Sequence, residues 1–216
     1  MRILASADVH GVRGVYEWLM ATAESEHADA LILAGDLLSM NDPEELRKDA
    51  TWILSVLAEA HLPVLYLMGN DDLISLDYED AQIRFIHGLR VETGGFCFVG
   101  YQYSLPFIGG IFEKQEEEIE KDLVSIEPLL DAQTILITHS PAYGVLDRTY
   151  SGERVGSCSL ARLLERRPVL AHIHGHIHES FGRERNHFNV ASAGRRRTFL
   201  IELPSCEHRI LSDPRG

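Results

Sequence analysis

Cysteine is scarce in this chain, three residues in 216 (Cys97, Cys158 and Cys206) with no Cys-x-x-Cys spacing. An odd, scattered set excludes a disulfide framework and fits ordinary packing in a reducing compartment. Long hydrophobic runs are also missing. Nowhere do ~18 consecutive apolar residues occur, so no membrane-crossing helix is expected. Met1-Arg2 leads straight into the strand-like Ile3-Leu4-Ala5 rather than into a secretory leader, and a cytoplasmic location with no membrane partner is the expectation. Positive charge is the third deficit. Twenty Lys and Arg against 33 Asp and Glu leave a formal net charge of -13. Such a chain repels nucleic acid, and a small anionic substrate needs a cation waiting for it. No linker rich in Pro, Gly or Ser and no internal repeat divides the sequence, so one domain over residues 1–216 is expected.

Histidine is what the chain has in quantity, and four of its 11 imidazoles fall in Ala171-His172-Ile173-His174-Gly175-His176-Ile177-His178. The apolar run Pro168 to Ala171 before them reads as a buried strand. A turn at Gly175 lets His176 and His178, two positions apart, face one cleft and offer neutral ring nitrogens to a metal. Such a pair needs acidic partners elsewhere.

Those partners recur at the ends of apolar runs. Ile3 to Ala7 stops at Asp8-Val9-His10-Gly11, Ala30 to Ala34 at Gly35-Asp36, Val64 to Met68 at Gly69-Asn70-Asp71-Asp72, and Thr134 to Thr138 at His139. Between them, Val15, Trp18, Leu19 and Thr22 at spacings of three and four predict a helix from about Arg13 to Glu26. A second helix is predicted from Pro43 to Ala60, with Trp52, Val56 and Leu57 facing inward, and a third short one from about Cys158 to Arg166. Glu113 to Asp122 reads as a solvated helix face. The glycine-punctuated stretch 83–107 and the runs Phe188 to Ala191, Arg197 to Leu203 and His208 to Leu211 are expected to form a second sheet. Strand, glycine, acid or amide, helix is the order of an α/β sandwich whose functional groups gather at the carboxyl ends of the central strands.

Asp8, His10, Asp36, Asn70, His139, His176 and His178 therefore form the candidate set. Two carboxylates sharing a poorly hydrated cleft would cost several kcal/mol against a stability of roughly 5–15, and a metal removes the conflict. Seven donors exceed what one transition metal takes, and Asp36 has two oxygens with which to bridge. Taken singly, Asp8 or Asp36 could instead cap a following helix, and His10 or His139 could be a satisfied loop histidine. His172 and His174 read as packing or supporting groups, His27, His61, His87, His187 and His208 as structural ones. Arg195-Arg196-Arg197 reads as a solvated hairpin.

The motifs Asp8-Val9-His10, Gly35-Asp36, Gly69-Asn70, His139 and Gly175-His176-Ile177-His178, in this order over about 170 residues, resemble the signature of the calcineurin-like metallophosphoesterases. Thr138-His139-Ser140-Pro141 and Gly152 to Ser157 resemble the branch of metallophosphoesterase-domain proteins. The resemblance implies a four-layer αββα sandwich of two mixed sheets flanked by helices. It implies two ions of manganese, iron or zinc, one on Asp8, His10, Asp36 and His178 and the other on Asp36, Asn70, His139 and His176. It also implies hydrolysis of a small phosphorylated substrate, a phosphodiester or nucleotide, by an activated bridging water. One residue departs from the pattern. Asp71 stands where many relatives have the histidine that assists the leaving group, which leaves Asp71 and Asp72 as the candidate catalytic carboxylates and predicts weak turnover of poor leaving groups. The alternative is a low-activity phosphoesterase fold that serves as a binding scaffold.

Overall fold

Short, uninterrupted apolar runs between polar turns decide the architecture, because a strand that is apolar on both faces must be covered on both. In the computed structural model, which describes residues 1–39, 42–76, 78 and 80–213, these runs form twelve strands and four helices. They are β1 (Arg2–Ser6), α1 (Arg13–Ser25), β2 (Ala30–Ala34), α2 (Pro43–Ala58), β3 (Val64–Leu67), β4 (Ile83–Phe85), β5 (Arg90–Thr93), β6 (Phe96–Tyr101), α3 (Glu116–Ile126), β7 (Thr134–Thr138), α4 (Cys158–Arg166), β8 (Ala171–His174), β9 (Gly182–Glu184), β10 (His187–Asn189), β11 (Arg197–Glu202) and β12 (Glu207–Ser212).

The strands make two mixed six-stranded sheets, in the orders β12-β11-β1-β2-β3-β4 and β5-β6-β7-β8-β10-β9. β1, β2, β3 and β4 run parallel, as do β6, β7, β8 and β10, so the carboxyl ends within each run point the same way. Alternate side chains sort into layers. Ile3, Ala5, Ile32, Ala34, Leu65 and Leu67 of the first sheet share one buried cluster with Phe98, Ile135, Ile137, Ile173 and Phe188 of the second. Leu4, Leu31, Leu33 and Tyr66 face the other way and pack with Val15, Leu19, Leu46, Ile53 and Leu57 of α1 and α2. Val99, Tyr101 and Leu136 are covered by Ile119, Leu123, Leu160 and Leu163 of α3 and α4. The expected αββα sandwich is thus present. No helix among the described residues is long and apolar enough to cross a membrane.

Several local expectations are corrected. β4, expected in the second sheet, extends the first by pairing with β3. β11 and β12, also expected there, belong to the first sheet: β11 takes the edge of β1 that β2 leaves open, with Ala5 opposite Phe199. Sequence pattern states that a run is a strand but not which edge receives it. The strand placed over Pro168 to Ala171 begins at Ala171 instead and contains His172 and His174. Trp52 and Val56 are only partly buried, and Leu46, Ala50, Ile53 and Leu57 form the inner stripe of α2.

Candidate metal centre

Each candidate side chain follows the carboxyl end of a parallel strand. Asp8 and His10 follow β1, Asp36 follows β2, Asn70, Asp71 and Asp72 follow β3, His139 follows β7, and His176 and His178 follow β8. The loops are stitched to one another by their backbones: Asp8 N–H donates to Gly35 O and His10 N–H to Asp36 O, each at 2.9 Å, and Gly175 N–H donates to His139 O at 3.1 Å. Gly69 and Gly175 allow the close approach. A Cβ on Gly69 would overlap the Asp36 carboxylate, and one on Gly175 would lie 2.5 Å from Asp8 Oδ2.

Four site residues other than glycine sit in the left-handed region, Asp8 (φ 56°), His10 (51°), Asp36 (52°) and His176 (71°). Such residues cost of order 1–3 kcal/mol each and persist only where the surroundings hold them. Asp8 is held in that way. Both its oxygens accept from His176 N–H, at 3.1 and 3.0 Å, and its carbonyl accepts from Ser192 Oγ at 3.1 Å and Gly194 N–H at 2.8 Å.

The donor atoms fall into two principal sets. In the first, His178 Nε2 lies 3.2 Å from Asp8 Oδ1 and 3.3 Å from His10 Nε2. Ligands at ~2.0–2.2 Å from one ion stand about 3.0–3.4 Å from each other, so this spacing fits a metal. In the second, His139 Nε2 lies 3.4 Å from Asp36 Oδ2 and 2.9 Å from Asn70 Oδ1, and His176 brings a ring nitrogen within 4.8 Å of its Asp36 and His139 counterparts. His139 gives its other ring N–H to the Ala34 carbonyl at 2.9 Å, which aims Nε2 inward. A third grouping joins His10, Asp36 and Asp71 within the same 4.8 Å limit. Asp36 and His10 each belong to two of the three groupings, and the third grouping links the first set, through His10, to the second, through Asp36. The set is carboxylate, amide and imidazole without thiolate, which suits manganese, iron or zinc.

The electrostatics also call for a cation. Asp8, Asp36 and Asp72 are all buried. Burial alone would raise the Asp36 carboxyl, but the facing His139, with His176 and His10, holds it below the ordinary carboxylate range. Burial would likewise depress His139, yet the charge and hydrogen bond of Asp36 hold it up at about 10, so a proton on His139 balances the charge of Asp36. Burial and His139 drop His176 to about 3, which leaves a neutral imidazole. The hydrogen bond to Asp8 raises His178.

The two carboxylates expected to be catalytic lie in different surroundings. Asp71 borders the cleft, its Oδ1 accepting from Asn70 Nδ2 at 2.7 Å and its Oδ2 3.7 Å from His10 Nδ1; its own N–H donates to Asp36 Oδ1 at 2.8 Å. Burial and the charge of Asp36 raise its pKa. Asp72 is fully buried and faces no cleft: Oδ1 accepts from Leu37 N–H and Leu38 N–H, and Oδ2 from Gly69 N–H, at 2.8–2.9 Å. It ties the loop after β2 to the loop after β3. Burial and Asp36 push it up to about 8, against the downward pull of those amides.

Some contributors lie outside the expected set. Arg197, read as part of a solvated hairpin, donates to the carbonyls of His178 (3.2 Å), Ala191 (2.8 Å) and Ser192 (3.2 Å) and so braces the loop that carries His178. The cleft itself, about 120 Å³, is lined by Asp36, Asn70, Asp71, His176 and His178 together with Phe107, Thr149, Ile177 and Glu179. Larger cavities of about 300 and 680 Å³ lie beside α4 and between α1 and α2, away from the donor set. His172 and His174 are buried inside β8 and belong to none of the donor groupings.

Residues 1–180 match the family model described as calcineurin-like phosphoesterase. Metallophosphoesterase domain-containing protein 1 of Homo sapiens is 28% identical over 188 residues, covering 72% of this chain and 56% of the relative. A probable cyclic nucleotide phosphodiesterase of Rhodococcus erythropolis is 27% identical over 169 residues, covering 73% of this chain and 54% of the relative. The chain thus spans about half the length of these curated relatives. Among solved structures, TT1561 of Thermus thermophilus superposes with a TM-score of 0.76 at 18% identity, covering 98% of both chains, a likeness of fold.

Proposed function

Since the chain belongs to the calcineurin-like phosphoesterase family, we propose that it hydrolyses small phosphodiesters of nucleotide type with two metal ions. Asp8, His10, Asp36 and His178 hold one ion, and Asp36, Asn70, His139 and His176 hold the other. The observation that carries this assignment is the 3.2–3.3 Å spacing of Asp8 Oδ1, His178 Nε2 and His10 Nε2, with Asp36 close to the remaining donors. The names of two relatives, a probable cyclic nucleotide phosphodiesterase and a dual-specificity phosphodiesterase for cAMP and cGMP, support a nucleotide diester as substrate. Three unpaired cysteines suit a reducing, cytoplasmic setting.

The ion pair, when bound, supplies the positive charge that polarises a phosphoryl oxygen and acidifies a water for in-line attack. The protein's own groups keep the donors in place. Asp71 is a positioning residue: it accepts the Asn70 amide so that Oδ1 of Asn70 faces inward, and it stands behind His10 Nδ1 as the carboxylate partner of a ligand imidazole. Asp72 is the strut between two ligand loops and carries no proton to the substrate. With no imidazole in the place of Asp71, the leaving group departs without a strong general acid, and diesters with acidic leaving groups are turned over best.

Stripping the protein with chelator, restoring manganese, iron or zinc separately, and assaying an aryl phosphodiester tests the proposal. Metal-restored hydrolysis is expected, and none with any of the three would refute it. A second reading, a metal-binding scaffold with little turnover, is favoured by Asp71 alone, and two bound ions without hydrolysis would decide for it.

A further inference from the structure

The candidate ligands crowd the floor of a cleft that opens to solvent, so a phosphoryl group held there would leave the organic part of a diester against the other lining residues, Phe107, Thr149, Ile177 and Glu179. Among the described lining residues, Phe107 is the one with an aromatic hydrocarbon ring. Its ring meets His176 edge to face, with centroids 5.0 Å apart and planes at 76°, and the residue remains 59% exposed.

The loop carrying that ring is pinned. Glu113 accepts from Ile108 N–H at 2.8 Å and Gly109 N–H at 2.9 Å. Gly110 packs so tightly on the Asn70 carbonyl that a Cβ there would overlap it, which ties the loop to a proposed metal ligand. A fixed aromatic face open to solvent beside a phosphoester site is a stacking platform, at little entropic cost on binding.

Resting on the hydrolase reading above, we propose that Phe107 stacks the nucleobase of the substrate, which makes the substrate class a nucleoside-containing phosphodiester with a single phosphate. The base stacks because every nucleobase presents a π-face. A lipid chain would need an apolar channel leading from the cleft, and the described cavities of about 300 and 680 Å³ share no lining residue with it. A polyphosphate is disfavoured because the lining adds Asp71 and Glu179, two carboxyl groups outside the proposed ligand set.

Calorimetry on the full chain loaded with manganese, titrated with adenosine monophosphate and separately with inorganic phosphate, tests the platform without requiring turnover. The nucleotide is expected to bind more tightly than phosphate. Phe107→Ala should lower the ratio of the two affinities about 5- to 100-fold, and Phe107→Trp should restore it. A wild-type ratio near one, or a ratio that Phe107→Ala leaves in place, would overturn the proposal. Failure of the hydrolase reading is seen separately, as absence of aryl-diester turnover in the same loaded protein.

Discussion

Asn70 gives its side-chain amide to Asp71 Oδ1 across 2.7 Å, and this turns the Asn70 oxygen toward His139 Nε2, 2.9 Å away. The other Asp71 oxygen stands 3.7 Å from His10 Nδ1. One carboxylate therefore touches a proposed ligand of each ion. A general acid has a different duty, to hold a proton for the leaving group, and Asp71 is engaged with the ligands. Asp71→Ala is expected to weaken manganese binding about 10- to 100-fold. The dependence of rate on leaving-group pKa should keep its slope. Unchanged metal affinity with a steeper leaving-group dependence would instead make Asp71 the acid.

Asp36 is grouped with His139 and His176 and again with His10, a member of the other set, and is the ligand the proposal shares between the ions, so its loss should be felt at both. Asp36→Ala is expected to take metal content, measured by elemental analysis after gel filtration, from two ions per chain to below one. In the wild-type protein manganese at 100 times its dissociation constant should add about 2.7 kcal/mol to unfolding stability for each ion bound and raise the melting temperature. Chelator should reverse that rise, and in Asp36→Ala most of it should be absent.

Asp72 predicts a stability effect. Its oxygens satisfy three buried backbone amides, of Leu37, Leu38 and Gly69. Asp72→Ala strands those donors and should cost about 3 kcal/mol in urea unfolding of the metal-free protein. A loss of activity without a loss of stability would return Asp72 to the chemistry.

The legible parts of this chain are those whose signal is local. β2, β7 and α4 run over the residues that their apolar runs and helical spacing predict, because a five-residue apolar stretch stopped by Gly35-Asp36 or by His139 needs no knowledge of its neighbours. The sheets to which β4, β11 and β12 belong depend on which edge is open, and that is decided only when the chain folds. β8 lies further along the chain than its apolar lead-in suggests, because the polar imidazoles of His172 and His174 hide a strand whose four residues are all buried. The candidate ligands can be named from order and spacing. The left-handed backbone at Asp8, His10, Asp36 and His176, and the clamp at Asp71, are properties of juxtaposed loops that no run of residues spells out.

The His172–His187 pair predicts how stability responds to acid. Thr138 gives its hydroxyl proton to Ser140 O at 2.5 Å, so His172 Nε2, 2.9 Å away, must donate to the Thr138 oxygen. Burial keeps His172 uncharged, so its Nδ1 is bare and accepts from His187 Nδ1 at 3.1 Å. Burial, then His174 and His187, hold His172 well below its ordinary pKa, and burial lowers His187 as well, where Glu184 and Arg185 act in opposite senses. The folded protein therefore binds fewer protons here than the unfolded chain once the pH falls below about 6.5. The contribution is fully present above that pH and is lost on acidification, at up to about 1.4 kcal/mol per pH unit for each such histidine. His172→Phe removes one titrating group and leaves the Thr138 proton on Ser140. In urea titrations between pH 6.5 and 4.5 with chelator present, the variant should lose stability less steeply than the wild type by about that amount. Parallel slopes would mean that His172 is already protonated in the folded state, donating to both Thr138 and His187, and would overturn the prediction.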